Sequence, residues 1–195
     1  MRMAINKTLR SALLESGLVV LGVVLAYLAN DWHEQSEHRQ RAAEAERSIV
    51  AELKSNREAA QRSMDYHQGL LDKLGKPDAA LGPQDFSRGF VFPAVLQRTA
   101  WESAAQTGVL QYLSYACVLE WSRAYAQQQR YDEQARSVGA LIYERLFDGG
   151  HAALTQNARG LKLLINAFAY RESQLVETYS TLLARPVAAG GCVRG

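Results

Sequence analysis

The chain has 195 residues, enough for one domain of ordinary size with a hydrophobic core of its own. Its 22 basic and 20 acidic residues nearly cancel and are interspersed, which argues against a nucleic-acid surface, so no nucleic-acid partner is expected. Glycine and proline concentrate in residues 75–93 and 186–195, while good helix formers fill the rest. This composition predicts an all-α protein.

The segment 12–29 is apolar except for Glu15 and Ser16, and it predicts a single transmembrane helix. Three basic residues lie in 1–11 and none follows until Arg39, so the positive-inside rule places 1–11 in the cytoplasm. The remainder is then expected on the periplasmic side of a bacterial inner membrane. A cleaved signal peptide is the alternative, since small residues at 24–26 fit a cleavage site. Glu15 and the helix-compatible sequence after Trp32 favour an anchor.

One face of the predicted transmembrane helix carries Glu15, Gly22 and Ala26. The Gly22-xxx-Ala26 pair lets two helices approach closely, which predicts an association face and a homo-oligomer. We refer to these three residues as the association face. Glu15 has three interpretations: an interfacial residue without a special role, an oligomer contact, or part of an ion path.

Residues 30–48 are predicted to continue the helix as a solvated stalk, because large aliphatic residues are absent between Trp32 and Ala45. From 49 to 185 the pattern changes to a helical bundle, interrupted by a long loop at 75–93. The first bundle helix has an apolar face formed by Ile49, Leu53, Ala60, Met64, His67, Leu71 and Leu74.

After the loop, a short helix is expected over Ala94 to Thr107 and a further helical turn near Val109 to Leu113. Two long helices follow, the first ending at Gly149-Gly150 and the second before Pro186. Together these segments predict a three- or four-helix antiparallel bundle, with 186–195 as a flexible tail.

No motif in the sequence indicates catalysis or a cofactor: phosphate-binding glycine loops, nucleophile elbows and Cys-x-x-Cys pairs are missing. His33, Glu34, Glu37 and His38 are ligand types in the stalk, but they offer only a weak metal signal without a third converging group. Cys117 and Cys192 are too far apart to indicate a disulfide framework. Cys117 is interpreted as a core residue, and Cys192 is given no role. We therefore predict no catalytic, cofactor-binding or metal-binding residues.

Each long helix has a polar residue on or beside its apolar face, and these are Asn56, Gln128 and Glu172. Buried polar groups require partners, so if the three meet they form a register-fixing network or the wall of a ligand pocket. In the alternative, the helix faces turn outward there and the groups contact water.

Several motifs together resemble a family of small bacterial inner-membrane proteins. They are Glu15 before Leu21-Gly22, the exit Ala29-Asn30-Asp31-Trp32, the Ala51-Glu52-Leu53 sequence, and Thr99-Ala100-Trp101-Glu102 before Thr107-Gly108. The resemblance covers about half the chain. It implies a single anchor and a helical extracytoplasmic domain, and it brings no activity, cofactor or active-site residues.

The hypothesis we favour from the sequence is a membrane-anchored structural or protein-interaction module of the bacterial envelope, with the lipid bilayer and an envelope protein as partners. The alternative is an extracytoplasmic ligand-sensing domain. It would need a partner subunit, because about ten cytoplasmic residues are too few for an output domain. An enzyme is less favoured because no catalytic constellation is found. A pore-forming oligomer is the least favoured hypothesis, because Glu15 is the one residue that suggests it.

Overall fold

The computed structural model describes the backbone of residues 2–75, 83–86, 88–89, 91–156, 158–184 and 191–193. Within these ranges it describes side chains from residue 14 onward, except at 83, 151, 153–155 and 158. The described chain forms four α-helices, which are α1 (Arg2–Leu74), α2 (Thr99–Gln106), α3 (Tyr115–Thr155) and α4 (Ala158–Ala184). Two 3₁₀ helices, Pro83–Phe86 and Val109–Tyr112, lie in the connection between α1 and α3. The all-α prediction, with a long N-terminal helix, is confirmed.

α1 is one helix of 73 residues that contains both the predicted membrane segment and the first helix of the bundle. At about 1.5 Å per residue it is roughly 110 Å long. Its large apolar side chains from Leu14 to Trp32 are 47% to 73% exposed, so the rest of the described chain leaves them uncovered. Within the described residues, α1 is the one helix long and apolar enough to cross a membrane.

The bundle begins earlier in α1 than the sequence predicted. Ala42 is fully buried, and the ring of His38 stacks on Tyr112 with centroids 4.1 Å apart. The 3₁₀ helix Val109–Tyr112 packs on this part of α1 and covers it. The exposed stalk therefore ends near residue 37, whereas the sequence placed its end at 48.

On α1 the core is built from the helix face that the apolar periodicity identified, with Ile49, Leu53, Ala60 and His67 buried. Its largest buried apolar and aromatic side chains are Ile49, Leu53, Trp121, Tyr125, Tyr131, Ile165, Phe168, Leu175 and Tyr179. α4 makes the most extensive contact with α1 and also packs on α3. The core thus lies around α4.

α4 runs antiparallel to both α1 and α3, whereas α1 and α3 run in the same direction. α1 and α3 can be parallel because a long connection, which contains α2, joins the end of one to the start of the other. The hydrogen-bonded pairs that set this register are Asn56–Gln128, His67–Glu172, Tyr131–Glu172 and Tyr179–Gln128.

Two helix boundaries differ from the prediction. α2 begins at Thr99, five residues later than expected, and the segment from Val91 to Arg98 has no regular secondary structure. α3 breaks at Gly150, which has φ 60° and ψ −162°, but helical structure resumes and continues to Thr155. The glycine accommodates the positive φ that a residue with a side chain rarely adopts.

The interpretation of the two cysteines is wrong, because Cys117 and Cys192 form a disulfide. Cys117 lies in the first turn of α3, and Cys192 returns to it from 75 residues further along the chain. Ser114 donates its backbone N–H to the Cys192 carbonyl at 2.6 Å, and the Cys192 N–H donates to Glu46 Oε1 at 2.9 Å. The predicted flexible tail is therefore fixed at 191–193, while 186–190 and 194–195 lie outside the described residues.

Candidate functional site

Six polar or charged side chains are buried in the bundle. Asn56, Gln128 and Glu172, which the sequence singled out, are at most 1% exposed, so the alternative in which they contact water does not hold. The complete set is Glu52, Asn56, Ser63, His67, Gln128 and Glu172. Five of them form two clusters that bind the irregular segment from Val91 to Arg98, and Glu52 binds the start of α2.

The first cluster joins Asn56 and Gln128 at the backbone of Gln97. Asn56 Oδ1 accepts from the Gln97 N–H at 2.7 Å, and Asn56 Nδ2 donates to the Gln97 carbonyl at 2.6 Å. Gln128 Nε2 donates to the same carbonyl at 3.0 Å, while its Oε1 accepts from Asn56 and from Tyr179. The two amides thus replace the backbone partners that a regular element would supply to Gln97.

The second cluster surrounds the carboxylate of Glu172, which does not contact Asn56 or Gln128. Tyr131 donates to Oε1 at 2.7 Å and accepts the backbone N–H of Ala94 at 2.7 Å. His67 Nδ1 lies 2.7 Å from Oε2, and its Nε2 accepts the N–H of Phe92 at 3.1 Å. Because that N–H can only donate, the ring proton is on Nδ1 and is donated to Glu172.

Ser63 completes the second cluster, with its Oγ 2.8 Å from Glu172 Oε1 and hydrogen-bonded to the Phe92 carbonyl. Serine, histidine and glutamate are the residue types of a catalytic triad, but here Ser63 and His67 both bind the carboxylate. All three are fully buried, so this arrangement does not present an activated nucleophile to a substrate. The second cluster holds residues 92–94 against α1 and α3 through hydrogen bonds to their backbone.

Glu52 holds the other end of the irregular segment by capping α2. Its carboxylate accepts the N–H groups of Ala100 at 2.9 Å and Trp101 at 3.4 Å, which have no partner inside the helix. A carboxylate at a helix N-terminus also interacts favourably with the helix dipole. Tyr125 donates to the same carboxylate at 2.6 Å. α2 is therefore fixed to α1 by a buried charge.

Burial raises the pKa of three core tyrosines above the ordinary value of 10.0. Contact with Glu52 raises the pKa of Tyr125 further, and Glu172 does the same for Tyr131. For Tyr179 burial is again the main cause. These hydroxyls remain protonated donors near neutral pH, which the hydrogen bonds of both clusters require.

An open groove of about 860 Å³ lies beside the first cluster, between α1, α2 and the 3₁₀ helix Val109–Tyr112. Small side chains dominate its walls, among them Ala45, Ser48, Ala51, Ser55, Ala100, Ser103 and Thr107. Arg41 and Glu44 lie at its end nearest the membrane segment.

The association face is exposed along α1. A side chain added at Gly22 would meet no atom within 4 Å, and Ala26 is also exposed. Glu15 is exposed at the start of the same face. Gly22 and Ala26 are therefore open to lipid or to another molecule.

The stalk residues with metal-ligand side chains do not converge. His33 pairs with Glu37 at 3.3 Å, and His38 lies 3.4 Å from Glu34 while its ring stacks on Tyr112. Among the described residues, no three histidine, cysteine, aspartate or glutamate side chains form a group able to hold a metal ion.

Sequence reasoning missed half of the buried polar set. Ser63 follows the polar residues Gln61 and Arg62, and Glu52 is of a residue type that is rarely buried, so neither position gave a local signal of burial. His67 was placed on the apolar face but not linked to Glu172, which lies 105 residues away. No protein-family model, curated protein or solved structure matches this chain.

Proposed function

We propose that this protein is a single-pass, membrane-anchored interaction module whose helical domain lies on the periplasmic side of a bacterial inner membrane. The observation that carries the proposal is the continuity of α1, which has exposed apolar residues at one end and the bundle core at the other. An exposed apolar segment of this length is stable in lipid and is costly in water. The domain is then held by its own core helix at a fixed height above the bilayer.

The Cys117–Cys192 disulfide supports the periplasmic side, because disulfides persist in oxidising compartments and are rare in the cytosol. The basic residues before the apolar segment favour the same orientation. The two arguments are independent, since one uses charge near the anchor and the other uses thiol chemistry in the domain. A periplasmic reporter fused after Ala184 is expected to be active and a cytoplasmic reporter silent; the opposite pattern would exclude this orientation.

The side of α1 that carries the association face also forms a wall of the large groove. Gly22 and Ala51 are 29 residues apart, as are Ala26 and Ser55, and 29 residues make about eight turns of helix. Because α1 is unbroken, these small residues lie on one side of it both within the membrane segment and within the domain. We propose that a partner helix, from a second copy or another envelope protein, packs along this side.

A photo-crosslinking amino acid tests the interaction surface in intact membranes. Placed at Ala51, it is expected to give a defined adduct, whereas at Arg57, which is half-buried, lies about 120° around the helix and does not line the groove, it is expected to give little. An adduct of twice the chain mass identifies a second copy, and another mass identifies a different envelope protein. Equal labelling at both positions, or none at Ala51, would contradict an interaction on this side.

A further inference from the structure

A second, smaller cavity of about 340 Å³ lies at the end of the domain far from the membrane segment. It is a partly open cavity between residues 88, 89, 91 and 93 on one side and the middle of α3 on the other. Apolar side chains form most of its wall: Val91, Pro93, Val138, Ile142 and Leu146. It is separate from the large groove and from both buried polar clusters.

The charged side chain that lines this cavity is Arg88, which is exposed. Its guanidinium lies 5.4 Å from the centre of the Phe92 ring, and the described residues offer it no salt bridge. The neighbouring cation Lys73, by contrast, is paired with Asp85 at 2.6 Å. Arg88 is exposed and lines the cavity, so its flexible side chain can bring the guanidinium to a carboxylate at the rim and form two parallel hydrogen bonds.

Gly139 keeps the α3 side of the cavity open. Glycine in the middle of a helix is destabilising relative to alanine, so its presence in α3 has a conformational cost. A side chain at this position would meet no atom within 4 Å, which means that neighbouring residues do not require a glycine for space. Any larger residue at 139 would instead occupy the cavity that Gly139 lines.

We propose that this cavity binds a medium-chain carboxylate, with its alkyl chain against the apolar wall and its carboxylate on Arg88. At about 30 Å³ for each water-sized group, the cavity holds roughly eleven non-hydrogen atoms, which matches a saturated chain of about ten carbons. A small apolar volume with one charged group at its edge is the usual composition of a ligand site. The charge of Arg88 selects an anionic head group over a neutral or cationic one.

The test uses the full chain in lipid nanodiscs and a decanoate analogue that carries a photoreactive diazirine. Labelled residues are mapped by mass spectrometry, because a local readout separates the cavity from partition of the probe into lipid. Labelling is expected within 88–93 and 135–146 and should be competed by decanoate but not by decylamine. Labelling confined to α1 residues 14–32, or equal competition by decylamine, would overturn the proposal.

Two variants with matched controls test the wall and the charge. Gly139→Leu is expected to abolish cavity labelling, while Gly69→Leu, at an exposed α1 glycine with equally open space, should leave it unchanged. Arg88→Gln is expected to weaken decanoate competition about tenfold, and Arg145→Gln on the exposed surface of α3 should not. Thermal unfolding of each variant identifies misfolding. Because Arg88 is exposed, its variant remains decisive even if Gly139→Leu fails to fold; unchanged competition in Arg88→Gln would overturn the proposal.

Discussion

Removal of the Cys117–Cys192 disulfide is expected to lower the stability of the helical domain substantially. The bond closes a loop of about 75 residues, and closing a loop of this size removes entropy from the unfolded chain. The chain-entropy relation gives about 4.5 kcal/mol at 25 °C. For a domain of this size, that change corresponds to a fall in Tm of roughly 9 to 18 °C.

The disulfide also holds the contacts of residues 191–193. Without it, the Cys192 N–H bond to Glu46 and the bond from Ser114 to the Cys192 carbonyl must form without covalent help. Leu113 is fully buried and pairs with Val193, so it becomes more exposed when residues 191–193 are no longer held in place by the disulfide. Amide hydrogen exchange near residues 113–118 should therefore increase together with the loss of global stability.

The assay compares the parent protein with the double variant Cys117→Ser/Cys192→Ser in detergent, each with and without a reducing dithiol. The parent should lose stability on reduction, and the reduced parent should match the double variant. The dithiol should have no effect on the double variant, which controls for other actions of the reductant. Equal Tm values for parent and double variant under oxidising conditions would refute the loop-closure reasoning.

Three further predictions address the core, the association face and the buried tyrosines. Phe168→Ala should cost about 3 to 5 kcal/mol in thermal unfolding, while Arg41→Ala on the exposed part of α1 should cost almost nothing. Gly22→Ile should reduce self-association in a transmembrane reporter, with Gly17→Ile, well around the helix, as the unaffected control. The contribution of the buried tyrosines to stability should be fully present below pH 10 and fall as pH rises further, because the unfolded chain deprotonates first and burial raises the folded-state pKa of Tyr125, Tyr131 and Tyr179.

The long helices could be predicted because apolar residues recur at helical spacing over many turns, as along Ile49, Leu53 and Ala60. The disulfide could not, because Cys117 and Cys192 meet only after the chain has passed through α3 and α4 and returned. The start of α2 was also misplaced. Residues 94–98 have good local helix formers, but side chains from α1 and α3 bind their backbone in another conformation.

The buried polar site was half visible in the sequence. Asn56, Gln128 and Glu172 were recognisable because each interrupts an apolar face. Their partners were hidden for two reasons. Asn56 and Gln128 bind the backbone of Gln97, and backbone atoms leave no mark in a sequence. Glu172 binds side chains that lie far away in the sequence. The three residues do not form one network. Asn56 and Gln128 are hydrogen-bonded to each other, whereas Glu172 lies in a separate cluster with Tyr131. These hydrogen bonds join residues that are far apart in the sequence, so they can be identified only once the fold is known.

The contribution of the second cluster can be measured by Tyr131→Phe, which removes a single hydroxyl. That hydroxyl accepts the Ala94 N–H and donates to Glu172, both at 2.7 Å, so its loss leaves two buried polar groups without this partner. Each unsatisfied group costs about 1 to 3 kcal/mol, and the ring itself stays packed.

Tyr170→Phe is the matched control, because Tyr170 is 62% exposed and water can replace its bond to Gln174. Denaturant unfolding should show a loss of at least about 2 kcal/mol for the first variant and almost none for the second. Exchange of the Ala94 amide should also accelerate in Tyr131→Phe. If the two variants unfold at the same denaturant concentration, the cluster does not hold the segment, and the irregular backbone at 92–94 must be fixed by its apolar contacts instead.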